Sequence, residues 1–233
     1  EVQQNGERRI GLGTMGLGDA LIKMKLRYGS PESLVEVDKI YKTIRDAAYE
    51  SSVEIAREKG AFPKFEAKKH LKGYFVKQLP KHIKDGIKKW GIRNSVLLQQ
   101  APTGSTSLLA GVSSGIEPVY EFSFIRRDRL GEHTLYHPLY EEWKSTHANE
   151  PVPNYFVSAN GLSPEEHVRI QATIQKYVDA SISKTVNAPK THTVEDVKNL
   201  YTLAYDLGCK GIAYMREGSR PGVLERIDNK KDF

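Results

Sequence analysis

The sequence predicts an α/β protein with parallel strands and helices outside them. Two observations carry this. Capped, amphipathic helical stretches alternate with short apolar runs. Two α-then-β units close the chain, one from Ser163 to Asn187 and one from Thr193 to Met215. Helix–strand alternation requires crossover connections, which makes the strands parallel. A closed barrel and an open sheet both satisfy the pattern, and 233 residues suit one large domain or two small ones.

Composition is that of a globular protein, with 39% hydrophobic and 27% charged residues. No apolar run approaches a membrane span, and no signal peptide opens the chain. The net charge of +6 fits a phosphate-bearing ligand, although lysine-rich helices also occur in heat-adapted proteins. Cys209 is the only cysteine, which excludes a disulfide framework and self-contained dithiol chemistry. A reducing, cytoplasmic setting is the expectation. Because residue 1 is Glu rather than Met, the chain is expected to be a piece of a longer polypeptide.

Residues 8–28 contain Gly11-x-Gly13-x-x-Gly16, the dinucleotide fingerprint by letter. That motif needs a second strand about 20 residues on, ending in an acid for the ribose. Here Ser30-Pro31 instead opens a long helix, with Ser as N-cap and Pro at the first helical position. Leu34, Val37, Tyr41, Ile44, Ala48 and Ile55 form one stripe that ends near Gly60. The glycines therefore read as a tight turn and close packing. An NAD(P)-dependent hydroxyacid dehydrogenase built on them is the alternative function. Residues 61–77 are an irregular aromatic connection. Pro80 to Trp90 is a lysine-rich amphipathic helix with Ile83 and Ile87 inward and Gly91 as its stop.

The stretch from Arg93 to Gly111 organises the rest. Val96 to Leu98 reads as a short buried strand, and Leu108 to Ala110 as a helix start. Between them lies Ala101-Pro102-Thr103-Gly104-Ser105-Thr106-Ser107. A strand, a loop of small hydroxylated residues and a helix together make an anion site. Free N–H groups and the positive end of the helix dipole point at whatever sits there. Gly104 permits close backbone approach and the hydroxyls add donors. The competing reading is an ordinary N-cap that binds nothing. No lysine lies between Ala101 and Gly111, so this is not a nucleotide-hydrolase P-loop.

Beyond Gly111 a turn-rich stretch passes into an aromatic, extended segment. Arg126, Arg127 and Arg129 around Asp128 read as a solvated ion-pair cluster, with forked anion binding as the alternative. His133 and His137 are four apart, but Pro138 follows directly and no third ligand is near, so no metal is expected. Leu139 to Trp143 is a helical turn. Ser163-Pro-Glu-Glu166 is a capping box, and its helix leads to a strand from Ser183 to Asn187. The helix opened by Thr193 turns Val197, Leu200, Tyr201, Ala204 and Leu207 inward and stops at Gly208. A strand from Gly211 to Met215 follows. Lys184, Asn187, Tyr214 and Arg216 fall at strand ends, where α/β folds place ligands, though each alone reads as structural. A charged tail runs from Arg220 to Phe233.

The segment Ala101-Pro-Thr-Gly-Ser-Thr-Ser-Leu-Leu-Ala-Gly-Val-Ser-Ser-Gly-Ile-Glu-Pro118 resembles the phosphate-loop signature of ribonucleotide reductase large subunits, most closely the class II, adenosylcobalamin-dependent enzymes. Supporting motifs run in the family's order. They are Arg9-Ile-Gly-Leu-Gly-Thr-Met-Gly-Leu-Gly-Asp19, Arg126-Arg-Asp-Arg-Leu-Gly-Glu-His133, Asn154-Tyr-Phe-Val157, Ser181-Ile-Ser-Lys-Thr-Val-Asn187 and Gly208-Cys-Lys-Gly-Ile-Ala-Tyr214. The resemblance implies half of a ten-stranded α/β barrel, with residues 1–219 as the C-terminal part of the barrel domain. It implies an enzyme that reduces ribonucleotides by thiyl-radical chemistry, with adenosylcobalamin as cofactor and a thioredoxin-type reductant. By the same resemblance Pro102, Thr103, Gly104, Ser105 and Thr106 match the loop that holds the phosphates of a ribonucleoside diphosphate or triphosphate.

The sequence also departs from the family. The radical cysteine and its Asn and Glu neighbours would precede Glu1, and the redox cysteine pair is incompatible with a single thiol. Cys209 reads as a core thiol, and Tyr214, on the last barrel strand, receives no catalytic role. No catalytic or metal-binding residue is therefore expected on this chain. It should need the N-terminal half of the reductase to act, as a truncated, split or intein-interrupted product would. Neither a membrane nor a nucleic acid is expected as partner; a basic helical face meeting an acidic partner or nucleic acid is the lowest-ranked reading.

Overall fold

Residues 96–100 form an extended segment paired on both edges. On one side the Ile10 and Leu12 amides donate to the Val96 and Leu97 carbonyls at 3.1 and 2.8 Å, and Leu12 bridges Leu98 in parallel. On the other side Ala180 N–H donates to Leu98 O at 3.0 Å, and Gln100 bridges Ile182 in parallel. In this computed structural model residues 1–128 and 131–219 are described, apart from the side chains of 126–128 and 131–133. Arg129 and the tail from Arg220 lie outside the described residues, as do the side chains of Arg126, Arg127, Asp128 and His133.

Short helices α1 (Val2–Glu7) and α2 (Leu17–Lys23) flank the first extended segment. The long helix α3 (Pro31–Lys59) starts as expected, with the Ser30 hydroxyl accepting from Ser33 N–H and Pro31 at the first position. It ends at Gly60, which sits at φ 79°. Val37 and Tyr41 are buried, while Ile55, at the end of the stripe, is 39% exposed. The aromatic connection folds as two single turns, α4 (Ala67–His70) and α5 (Tyr74–Lys77). Helix α6 (Lys81–Trp90) buries Ile83 and Ile87.

Helix α7 (Gly104–Ala110) follows the central segment. Next come β1 (Ser123–Asp128), β2 (Gly131–Tyr136) and α8 (Pro138–Thr146). Strands β1 and β2 pair antiparallel. The all-parallel expectation fails here because only two residues separate the strands, too few for a crossover, so the strands run in opposite directions. Helix α8 is longer than the single turn expected.

Helix α9 (Pro164–Gln175) has the expected capping box between Ser163 and Glu166. Strand β3 (Thr185–Ala188) follows, slightly later than expected, then α10 (Val194–Asp206) with its own box between Thr193 and Asp196, then β4 (Ala213–Arg216). Strands β3 and β4 pair in parallel. Of the α10 stripe only Leu200 and Ala204 are buried; Tyr201 is exposed.

These pairings set 10–12, 96–100, 180–188 and 213–216 side by side and parallel. The regular sheets are two-stranded, and no closed barrel is seen among the described residues. The main core gathers α3, α6 and α9 around Leu97, Leu98 and Ile182. Ile87, Ile170 and Ile174 are fully buried there, each contributing roughly 1.5–3 kcal/mol. One carboxylate ties this core together. Asp179 accepts from Leu97 N–H at 2.9 Å, Leu98 N–H at 2.8 Å and the Tyr49 hydroxyl at 2.6 Å. Burial, then the Asp179 charge, raises the Tyr49 pKa.

Candidate functional site

The loop after Gln100 leaves the carboxyl end of the central parallel segment, beside Thr14. Gln100 is buried, and its Oε1 accepts from Thr14 N–H and Thr14 Oγ1, both at 3.1 Å. The glycines of the fingerprint are used up in the same packing. A Cβ on Gly13 would stand 2.7 Å from Gln99 O, and one on Gly11 would collide with the Gln99 side chain. Helix α3, not a second strand, occupies residues 31–59. The reading of these glycines as turn and packing therefore holds, and the dehydrogenase alternative finds no support.

Helix α7 begins at Gly104, four residues before the start expected at Leu108. Leu108 and Leu109 end the helix instead, 81% and 90% exposed. Thr103 sits before it at φ 52°, and its hydroxyl does not cap the helix. Thr103 Oγ1 instead accepts from Gly115 N–H at 2.7 Å. The amides of Gly104, Ser105 and Thr106 are donated to no protein acceptor among the described residues. Gly104, Ser105 and Thr106 are exposed, as is Pro102. The ordinary N-cap reading is thus corrected: the cap hydroxyl is spent on the neighbouring loop, and the helix-start amides stay open.

That neighbouring loop, residues 112–117, cradles α7. Val112 N–H donates to Ser107 O at 3.0 Å, and the Ser107 and Ser114 hydroxyls lie 2.9 Å apart. It is fixed from behind by Asp19, whose Oδ2 accepts from Ser113 N–H at 2.9 Å, and by the Tyr28 hydroxyl, which donates to Ile116 O at 2.5 Å. Gly115 stands at φ +50°, where a Cβ would come 2.8 Å from Ala101 O.

A buried charge lies beneath. Lys184 is fully buried, and its Nζ is 2.6 Å from Glu117 Oε2, 2.8 Å from His167 Nδ1 and 2.5 Å from Thr185 O. Glu117 Oε1 accepts from Thr185 N–H at 2.7 Å. His167 Nε2 lies 2.9 Å from Ala159 O and so carries its proton there, leaving Nδ1 as an acceptor. Three acceptors around one Nζ match the three protons of an ammonium. Burial lowers the Lys184 pKa and Glu117 opposes that shift. Burial, then the Lys184 charge, pushes His167 down to about 3.

A cavity of about 620 Å³ opens beside this cluster. Ser107, Ser113, Glu117, His137, Asn187 and Met215 stand in its largely apolar wall. Residues 102–106 are not in that wall; of the hydroxyl-rich stretch only Ser107 reaches it. Asn187 is the one strand-end candidate of the four with a polar group on the cavity. Lys184 is buried, Tyr214 pairs with His192 Nδ1 at 2.9 Å, and Arg216 is exposed. His137 Nε2 lies 3.1 Å from Asp19 Oδ1. Among the described residues no group of three or more His, Cys, Asp or Glu gathers for a metal. Sequence reading had not paired Glu117 and His167 with Lys184. The available signal was a lysine on a strand otherwise facing the core, since a fully buried lysine needs a carboxylate partner.

Parallel segments with packed helices and a cavity beside their carboxyl ends are the mark of an α/β domain, a class of fold that places its ligands at that edge. The chain belongs to the ribonucleotide reductase barrel-domain family, whose model matches residues 1–215. It is similar to the vitamin B12-dependent ribonucleoside-diphosphate reductases of Thermoplasma acidophilum and Mycobacterium tuberculosis. The first is 35% identical over 91% of this chain and 29% of its own length, the second 32% over 93% and 32%. The ribonucleoside-diphosphate reductase subunit alpha of Mycoplasma pneumoniae is 32% identical over 93% of this chain and 33% of its own. The chain thus spans about a third of the length of these relatives. No helix among the described residues is long and apolar enough to cross a membrane.

Proposed function

We propose that this chain is the C-terminal half of the barrel of a vitamin B12-dependent ribonucleoside-diphosphate reductase, and that it supplies the loop receiving the substrate's phosphates. The observation that carries the reading is the set of open amides at Gly104, Ser105 and Thr106, at the end of the central parallel segment. Backbone N–H groups there donate to phosphate oxygens without needing a side-chain charge. Pro102 and Thr103 shape the turn, and the Ser105 and Thr106 hydroxyls add donors. The relatives named as vitamin B12-dependent support the cobalamin class. Conversion of ribonucleotides to deoxyribonucleotides then falls to the complete enzyme, with a thiyl radical and a redox cysteine pair supplied by its other parts and a thioredoxin-type protein as reductant. Cys209, the only thiol of the chain, is half-buried and stands apart from the loop's hydrogen bonds.

The described residues do not by themselves fit adenosylcobalamin. The 620 Å³ cavity is of the size that holds a small ligand, and a corrin with its nucleotide tail is larger. Residues outside this chain must complete any such site.

Titration calorimetry with cytidine diphosphate tests the reading. The Thr103→Ala, Ser105→Ala double variant should lose the Ser105 donor, a charge-assisted bond worth about 1.5–3 kcal/mol, together with the turn that Thr103 shapes, a drop of tenfold or more in affinity. An affinity unchanged from the parent chain overturns the assignment.

A further inference from the structure

We propose that the buried Lys184–Glu117 pair is a positioning device for the candidate phosphate loop, acting through Gly115 and Thr103. This rests on the reading of residues 102–106 given above.

The connection can be followed atom by atom. Lys184 comes from the extended chain that pairs with Gln100 on one side and β4 on the other, so its backbone belongs to the rigid part of the fold. Its Nζ and the neighbouring Thr185 N–H take one carboxylate oxygen of Glu117 each, at 2.6 and 2.7 Å. Two charge-assisted bonds to different atoms fix the plane of the carboxylate as well as its place. Glu117 N–H donates to Ser114 O at 2.9 Å, which closes the turn that carries Gly115. Gly115 N–H then donates to Thr103 Oγ1, and Ser114 Oγ lies 2.9 Å from Ser107 Oγ. Thr103 and Ser107 bracket the three open amides. Thr103 also holds φ 52°, a backbone conformation an unsupported threonine rarely keeps.

His167, Thr185 O and Tyr28, which feels the Glu117 charge, also face the pair. His167 accepts from Lys184 through Nδ1 and is held neutral by its burial; Thr185 O takes the remaining ammonium proton. Of the pair itself Glu117 alone reaches the cavity wall, where Thr185 stands too. Its place in the chain, rather than its charge alone, makes it the link between the rigid strand and the loop. The pair touches neither the loop amides nor any atom bound by them, so its role is positioning.

Glu117→Gln tests this, because the amide keeps the shape and can still accept from Thr185 N–H. In the unliganded chain, hydrogen exchange at the Gly115 amide should rise about tenfold, while Leu98 and Leu12 keep their protection. Cytidine diphosphate should bind about tenfold more weakly. Thr103→Val removes the far end of the same connection, so the double variant should bind no worse than the weaker single one, a coupling that independent structural damage does not give. If Glu117→Gln unfolds the chain, Glu117→Asp, which retracts the carboxylate by one methylene, takes its place with the same readouts. Unchanged Gly115 exchange overturns the proposal, and so do additive losses of affinity. If the parent chain binds no diphosphate, the phosphate reading falls, and the positioning device is judged on Gly115 exchange alone.

Discussion

Gly115 N–H donates to Thr103 Oγ1 at 2.7 Å, so the residue before α7 uses its hydroxyl to hold a loop rather than to cap its own helix. The bond forms only because Gly115 adopts φ +50° with its Cα facing Ala101 O. Gly115→Ala adds a Cβ 2.8 Å from that oxygen in a left-handed conformation. The variant should lose about 1–3 kcal/mol of stability, read from urea unfolding. An alanine variant as stable as the parent contradicts this geometry.

Asp179 holds two adjacent amides of the central segment and the Tyr49 hydroxyl of α3. Asp179→Ala leaves the Leu97 and Leu98 N–H groups, both on buried residues, without their acceptor. A loss of roughly 2–4 kcal/mol is expected, seen as a lower urea midpoint at unchanged slope. Asp179→Asn, with one acceptor oxygen left, should fall between the two.

Local signals made most helices legible. The Ser30-Pro31 start, the Ser163–Glu166 capping box, the helix start at Thr193 and the glycine stop of α6 rest on short-range rules, and the structure follows them. The site was only half legible for the opposite reason. The loop 101–107 is contiguous and could be located, but the start of α7 depends on Thr103 being held by Gly115, twelve residues away. The Lys184–Glu117–His167 cluster joins residues up to 67 positions apart. No periodicity encodes such a meeting. The antiparallel β1–β2 hairpin was missed because an aromatic extended stretch does not announce its partner.

Cys209 is half-buried, and burial raises its thiol to about 11. At pH 8 the thiolate fraction is then roughly a hundredfold below that of a thiol at the ordinary 9.0. Iodoacetamide should label the folded chain slowly and the urea-unfolded chain fast, by mass spectrometry. Equal rates would show an accessible, reactive thiol, against the core role read for it.

His167 governs stability in mild acid. Folded, it takes up its proton only near pH 3; in the unfolded chain it does so near the ordinary 6.5. Between those values the unfolded chain holds more protons, so stability rises with pH there and is fully present above 6.5. Acidification below 6.5 should cost up to ~1.4 kcal/mol per pH unit. The carboxylates with lowered values, Glu166 and Asp46 among them, act with the same sign but only below about pH 4.5, where their ordinary values lie. Urea unfolding between pH 4.5 and 6.5 therefore isolates the histidines. His167→Gln keeps a donor for Ala159 O and an acceptor for Lys184 but cannot titrate. Most of the slope should vanish in that variant, leaving the share of His70, whose pKa burial also lowers. A slope as steep in His167→Gln as in the parent chain would place the acid sensitivity outside the Lys184 cluster.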